Sequence, residues 1–138
     1  MNSIGISCLN YGWGKNIDKS SYGTIPSNMT RNAQLINASG QIAPYRNISW
    51  TQEITDAQYN SLHFLVKRLK ELNPTLPSYK WEGQTTFNRL FPSGQKGGFA
   101  TSYNAGVPGL YTHCSVTTGK LDVLPTPKII QFFKTLVL

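Results

Sequence analysis

Residues 55–74 constrain the fold more than any other stretch of this chain. Thr55-Asp56-Ala57-Gln58 has the form of a capping box. In such a box the threonine hydroxyl accepts from an amide in the first turn, and the glutamine side chain reaches back to the cap amide. Tyr59, Leu62, Leu65, Val66, Leu69 and Leu72 then recur at the 3.6-residue period of an amphipathic helix. Lys67, Arg68 and Lys70 lie near its C-terminal end, where cations complement the helix dipole. Asn73-Pro74 ends it, because the residue before a proline disfavours helical backbone.

The other elements read less sharply. Ser3 to Leu9 has the apolar content of a short buried strand, with Gly5 permitting close backbone approach. Residues 10–50 are rich in Asn, Gly and Ser, with isolated apolar anchors at Trp13, Ile25, Ile36 and Trp50. They read as a long loop with one short hairpin around Ser39-Gly40, and loops of that length are often functional. Residues 74–109 form a second irregular region, in which Arg89 and Lys96 are candidate ligand-facing cations. Leu110 to Val116 reads as a second strand. Thr126-Pro127 opens a terminal helix with proline at its first position, and Ile129, Ile130, Phe133 and Leu136 form its core face. The expected fold is α/β, a mixed sheet flanked by helices, in a single domain over residues 1–138 with no internal repeat.

A chain of 138 residues suits one domain with a real hydrophobic core. No run approaches the ~20 apolar residues of a membrane span, and the N-terminus lacks the pattern of a signal peptide. The expectation is therefore synthesis in the cytoplasm and no membrane span. The net charge of +7 either serves solubility or attracts an anionic target. A polyanionic bacterial wall suits it better than nucleic acid, since no basic run exceeds Lys67-Arg68 and no nucleic-acid motif occurs. Cys8 and Cys114 both sit in apolar stretches and read as buried free thiols rather than a disulfide scaffold. The sequons at Asn28, Asn37 and Asn47 read as chance occurrences.

The chemistry concentrates in Tyr111-Thr112-His113-Cys114-Ser115 and Gly119-Lys120-Leu121-Asp122. On an extended strand side chains alternate faces, so His113 would share a face with Tyr111 and Ser115, leaving Cys114 in the core. A turn at 117–119 would return Lys120 and Asp122 toward His113. Histidine and aspartate are both zinc ligands, at roughly 2.0–2.2 Å. Zinc polarises a carbonyl and lowers the pKa of its water to about 7, and an ammonium stabilises a developing oxyanion. By spacing alone the zinc signal is weak, and a lone histidine near a Lys-x-Asp turn is more often structural than a ligand. His63, the only other histidine, lies one step off the helix stripe and reads as a half-buried structural residue rather than a ligand.

The ordered set of motifs resembles the zinc-dependent N-acetylmuramoyl-L-alanine amidases, a family that includes bacteriophage lysozyme-amidases (endolysins) and peptidoglycan recognition proteins. Asn2-Ser3-Ile4-Gly5-Ile6 is similar to a strand of that family. Thr55 to Gln58 matches the Thr-x-x-Gln that introduces its helix, and His113, Lys120 and Asp122 fall in the family's order. The resemblance implies that His113 and Asp122 bind one zinc ion and that Lys120 is catalytic. The substrate it implies is the amide between the lactyl group of muramic acid and the L-alanine of the peptidoglycan stem. It also implies action on the cell wall by a bacterial or phage-encoded hydrolase. The chain departs from the family in lacking the earlier strand with the first zinc histidine and the tyrosine soon after it, and in having Ser7 where many members are acidic. The third protein ligand is thus not identified in this chain; the expectation is an N-terminally incomplete, C-terminal part of the family fold, completed by a further segment or by a second polypeptide. The alternative expectation is a non-catalytic peptidoglycan-binding or structural homologue with an incomplete metal site.

Overall fold

The computed structural model describes residues 4–6, 12–92, 106–117 and 121–138. The stretch expected to be a loop holds the sheet. Strands β1 (Trp13–Asn16), β2 (Lys19–Ser20), β3 (Gly23–Thr24), β4 (Asn32–Gln34) and β5 (Trp50–Gln52) run in the order β3-β2-β1-β5-β4. Every pairing is antiparallel, so the chain combines sheet and helices as expected, but its described sheet is antiparallel rather than mixed. These strands are two to four residues long and mostly polar, too short to carry a period-2 apolar signal.

Local hydrogen bonds make the short strands possible. Asn16 Oδ1 accepts from the amides of Asp18 and Lys19, both at 3.0 Å, closing the β1–β2 turn. Ser20 Oγ accepts from the Tyr22 amide at 3.0 Å in the β2–β3 turn. The buried Asn32 side chain then crosses beneath β1, and its Nδ2 donates to the carbonyls of Asn16 (2.5 Å) and Lys19 (3.0 Å). A Cβ at Gly14 would lie 2.0 Å from that nitrogen, so glycine is required there by space. The hairpin expected around Ser39-Gly40 is present as a tight loop closed by an Ile36–Ile42 bridge.

Helix α1 (Asp56–Leu72) forms with the expected box: Thr55 Oγ1 accepts from the Gln58 amide at 3.0 Å, and Gln58 Oε1 accepts from the Thr55 amide at 2.9 Å. Asn73 caps its C-terminus. Its stripe is less covered than its period implies. Only Val66 is fully buried on the helix, while Leu65 and Leu72 are 40% and 67% exposed. Helix α2 (Gln84–Leu90) lies inside the region expected to be irregular. Gly83 at φ +63° and no side-chain cap precede it, so it lacks a start signal in the sequence.

Two further expectations are corrected. Ile4, Gly5 and Ile6 are not in a strand, and Ile4 is 60% exposed, while Ser3 and residues 7–9, including Cys8, fall outside the described residues. Leu110 to Val116 is not a strand either: 110–112 is irregular and His113–Val116 is a helical turn, α3.

The terminal helix α4 (Pro127–Thr135) matches the expectation, with proline in its first turn and Thr126 accepting from the Ile129 amide. Ile129, Ile130, Phe133 and Leu136 are buried, joined by Phe132. Glu53, just before α1, accepts from Thr126 Oγ1 (2.5 Å) and the Lys128 amide (3.1 Å), a carboxylate at the positive end of α4. The two helices also meet at Thr135, whose hydroxyl lies 2.8 Å from Tyr59 OH and 3.0 Å from His63 Nε2. Leu35 and Ile54 from the sheet side, Leu90 and Phe91 from α2, and the α4 face share one core. Among the described residues no helix is long and apolar enough to cross a membrane.

Candidate functional site

Both ends of α3 are anchored. At its start, the Thr112 amide donates to Ser115 Oγ at 3.2 Å, and the hydroxyls of Thr112 and Ser115 both donate to the Leu90 carbonyl at the end of α2. All three residues are buried. At its end, Arg46 Nη2 donates to the Cys114 carbonyl at 2.8 Å, and its guanidinium also reaches the carbonyls of Thr117 (3.3 Å) and Pro92 (3.4 Å). A cation on the last carbonyls of a helix is favourably placed for their dipoles.

Arg46 reaches them from a two-residue turn. Tyr45 and Ile48 pair through reciprocal backbone bonds of 2.9 and 3.0 Å. Arg46 and Asn47 between them have φ of +49° and +64°. Such turns favour Asn and Gly, so the arginine is the unusual member. Its anchoring of α3 is the physical reason for an arginine there. Tyr45 OH donates to Pro92 O at 2.8 Å, and burial raises the phenol above its usual range.

The anchored turn presents His113. Its Nδ1 lies 2.7 Å from Asp122 Oδ2, and the two side chains are 37% and 34% exposed. The expected convergence of His113 and Asp122 is therefore present, although it is built on a helical turn and not on a strand. Asp122 Oδ1 is buried and has no hydrogen-bond partner among the described residues. Lys120 lies outside the described residues, as does Lys96. Arg89, the other candidate ligand-facing cation, lies over the Tyr79 ring, 5.9 Å from its centroid.

The donor set fits part of a zinc site. An imidazole nitrogen and a carboxylate with a spare buried oxygen are suitable ligands. Among the described residues, however, no group of three or more His, Cys, Asp or Glu side chains could hold a metal ion. Cys114 does not complete the set. It is fully buried, its thiol donates to Val123 O at 3.2 Å, and burial pushes its pKa up to about 11. Its core position was expected, but the alternation offered for it fails. On α3, successive side chains turn by about 100°, and that rotation takes Cys114 away from His113.

His63 is committed elsewhere. Its ring packs on Tyr59 and Phe132, with centroids 5.0 and 4.9 Å away. Burial, with Lys67 nearby, lowers its pKa. Arg46 is the residue that the sequence did not mark. The available signal was Asn47, a residue tolerant of left-handed backbone, but nothing in 10–50 linked it to residue 114. No family model matches the chain, and neither a curated protein nor a solved structure is significantly similar to it.

Proposed function

We propose that the chain carries part of the zinc site of a peptidoglycan amidase, an enzyme that hydrolyses the amide between muramic acid and the stem L-alanine. The observation that carries this reading is the His113–Asp122 pair: two ligand types nine residues apart, both partly open to solvent and brought together by a 2.7 Å hydrogen bond that a shared zinc ion would replace. The order of motifs along the sequence supplies the reaction class.

In this reading His113 and Asp122 hold the zinc. When bound, the ion supplies Lewis-acid polarisation of the scissile carbonyl and a more acidic water. The chain's own residues do the rest. Arg46, Thr112 and Ser115 hold α3 so that the imidazole stays beside the carboxylate. Lys120, two residues before Asp122, stabilises the charge that develops on the carbonyl oxygen. A third ligand comes from a further segment or a second polypeptide.

The test is release of stem peptide from purified cell wall by the complete, zinc-loaded assembly. The reading expects zinc-dependent release that His113→Ala abolishes. No release under those conditions ends it. The second reading is a peptidoglycan-binding module without hydrolysis, favoured by the two-donor count among the described residues. It expects wall pulldown that survives both chelation and Asp122→Ala.

A further inference from the structure

Beside β1 runs an open groove of about 450 Å³, within the size range of small-ligand sites. Separate parts of the chain build it. Trp13 and Lys15 come from β1, Arg46 and Asn47 from the left-handed turn, and Ser49 from the residue before β5. Leu121 completes the lining, which includes neither His113 nor Asp122. The groove is a site apart from the candidate zinc pair.

One aromatic ring and one cation set its chemistry. Trp13 is 44% exposed. Trp50 also lines the groove, but Trp13 stands opposite Thr51 and Trp50 opposite Gly14. Side chains of successive pairs leave opposite faces of a sheet, so the indoles form no sandwich and Trp13 supplies the stacking face. Between Gly14 and Asn16 the β1–β2 register slips by one residue, an irregularity of the kind that re-aims a side chain. The residue at the slip is Lys15, which is exposed and lines the groove. Arg46 adds its charge, while its guanidinium holds the backbone carbonyls at the end of α3. Among the described residues no carboxylate lines the groove. The exposed Asn47 amide and Ser49 hydroxyl add neutral hydrogen-bonding groups.

The spacing of ring and cation selects among anions. Trp13 and Lys15 lie two residues apart on a strand, about 6–7 Å of chain. An inorganic anion leaves the indole unused, and a neutral sugar leaves the cations unused. An aromatic carboxylate holds its charge directly against its ring, too close to serve both groups. A nucleoside monophosphate sets a ribose between its flat base and its phosphate, which matches the gap. We propose that this groove binds a nucleoside monophosphate unit. The base stacks on Trp13, the phosphate faces Lys15 in the field of Arg46, and the ribose hydroxyls meet Asn47 and Ser49. Stacking on an aromatic ring accepts any base, so the site recognises the unit rather than one nucleobase. The inference stands on the groove alone and is independent of the amidase reading.

The experiment is calorimetric titration of the full chain, in chelator and at low salt, with AMP, adenosine and inorganic phosphate. The expected result is salt-sensitive AMP binding, with adenosine and inorganic phosphate each weaker by about fivefold or more. Trp13→Ala weakens AMP binding about tenfold or more, whereas Trp13→Phe retains an aromatic face, keeps most of the affinity and controls for folding. Lys15→Ala weakens AMP binding up to about fivefold and narrows the difference between AMP and adenosine. His113→Ala leaves binding unchanged, as a site apart from the zinc pair requires. A trinucleotide with a phosphorylated 5′ end separates the two sources of the unit. If it binds as AMP does, the ligand is a strand end; if only AMP binds, the ligand is a free nucleotide; both support the inference. Undetectable AMP binding at millimolar concentration overturns it, as does inorganic phosphate or adenosine that binds as tightly as AMP. AMP binding that is indifferent to Lys15→Glu and Trp13→Ala, or that requires His113, overturns it as well.

Discussion

Replacing Arg46 separates two opposing effects at one residue. The side chain makes a charge-assisted bond of 2.8 Å to the Cys114 carbonyl and longer contacts of 3.3 and 3.4 Å to Thr117 and Pro92. A hydrogen bond to a charged group contributes about 1.5–3 kcal/mol, with the short bond dominating. Against this, a non-glycine residue at φ +49° costs about 1 kcal/mol relative to glycine. Arg46→Ala loses the bonds and keeps the strain, so it destabilises by about 2–3 kcal/mol. Arg46→Gly loses the same bonds but relieves the strain, so it destabilises by about 1–2 kcal/mol. Arg46→Lys keeps the charge without the fork and falls between wild type and alanine. Urea unfolding of the four proteins at one pH measures these differences. If glycine is no better than alanine, the turn is not strained as argued. If alanine costs under about 0.5 kcal/mol, the guanidinium does not anchor α3.

Other consequences follow from the same geometry. Gly14→Ala forces Asn32 away from its two carbonyls and costs about 2–4 kcal/mol; in a double-mutant cycle with Asn32→Ala it shows a coupling above about 1 kcal/mol. His63 has a lowered folded pKa, so below pH 6.5 the unfolded chain binds more protons than the folded one. Its contribution to stability is present above that pH and is lost as pH falls through the folded pKa, and His63→Gln should flatten the decline in unfolding midpoint between pH 7.5 and 5. Cys114, buried with its pKa at about 11, should resist iodoacetamide at pH 8 in a Cys8→Ser background and react once urea unfolds the chain.

The parts of the fold that were legible carry their signals in adjacent residues. The Thr55–Gln58 box and Thr126-Pro127 announce α1 and α4 because caps are local chemistry. The sheet was not legible, because its strands are held by side-chain bonds from distant positions. Asn32 supports β1 from 16 residues away, and no pattern within β1 records that. The apolar, aromatic run before residue 116 misled for a different reason. Its composition favours a strand, but Thr112 and Ser115, three residues apart, bond to each other and to Leu90, and that bonding sets a helical turn. The pairing of His113 with Asp122 depended only on the chain returning after residue 117, so it survived the change from strand to helix.

The half-site is the central claim, and the imidazole of His113 reports on it directly. The chain has two histidines, so two-dimensional ¹⁵N spectra of the side chains separate them cleanly. On zinc addition to the complete assembly, the account predicts that the His113 ring nitrogens move to metal-bound shifts while His63, packed between Tyr59 and Phe132, does not respond. Asp122→Ala should weaken that response at least tenfold. His113 resonances that ignore zinc, or that respond equally without Asp122, would contradict the account.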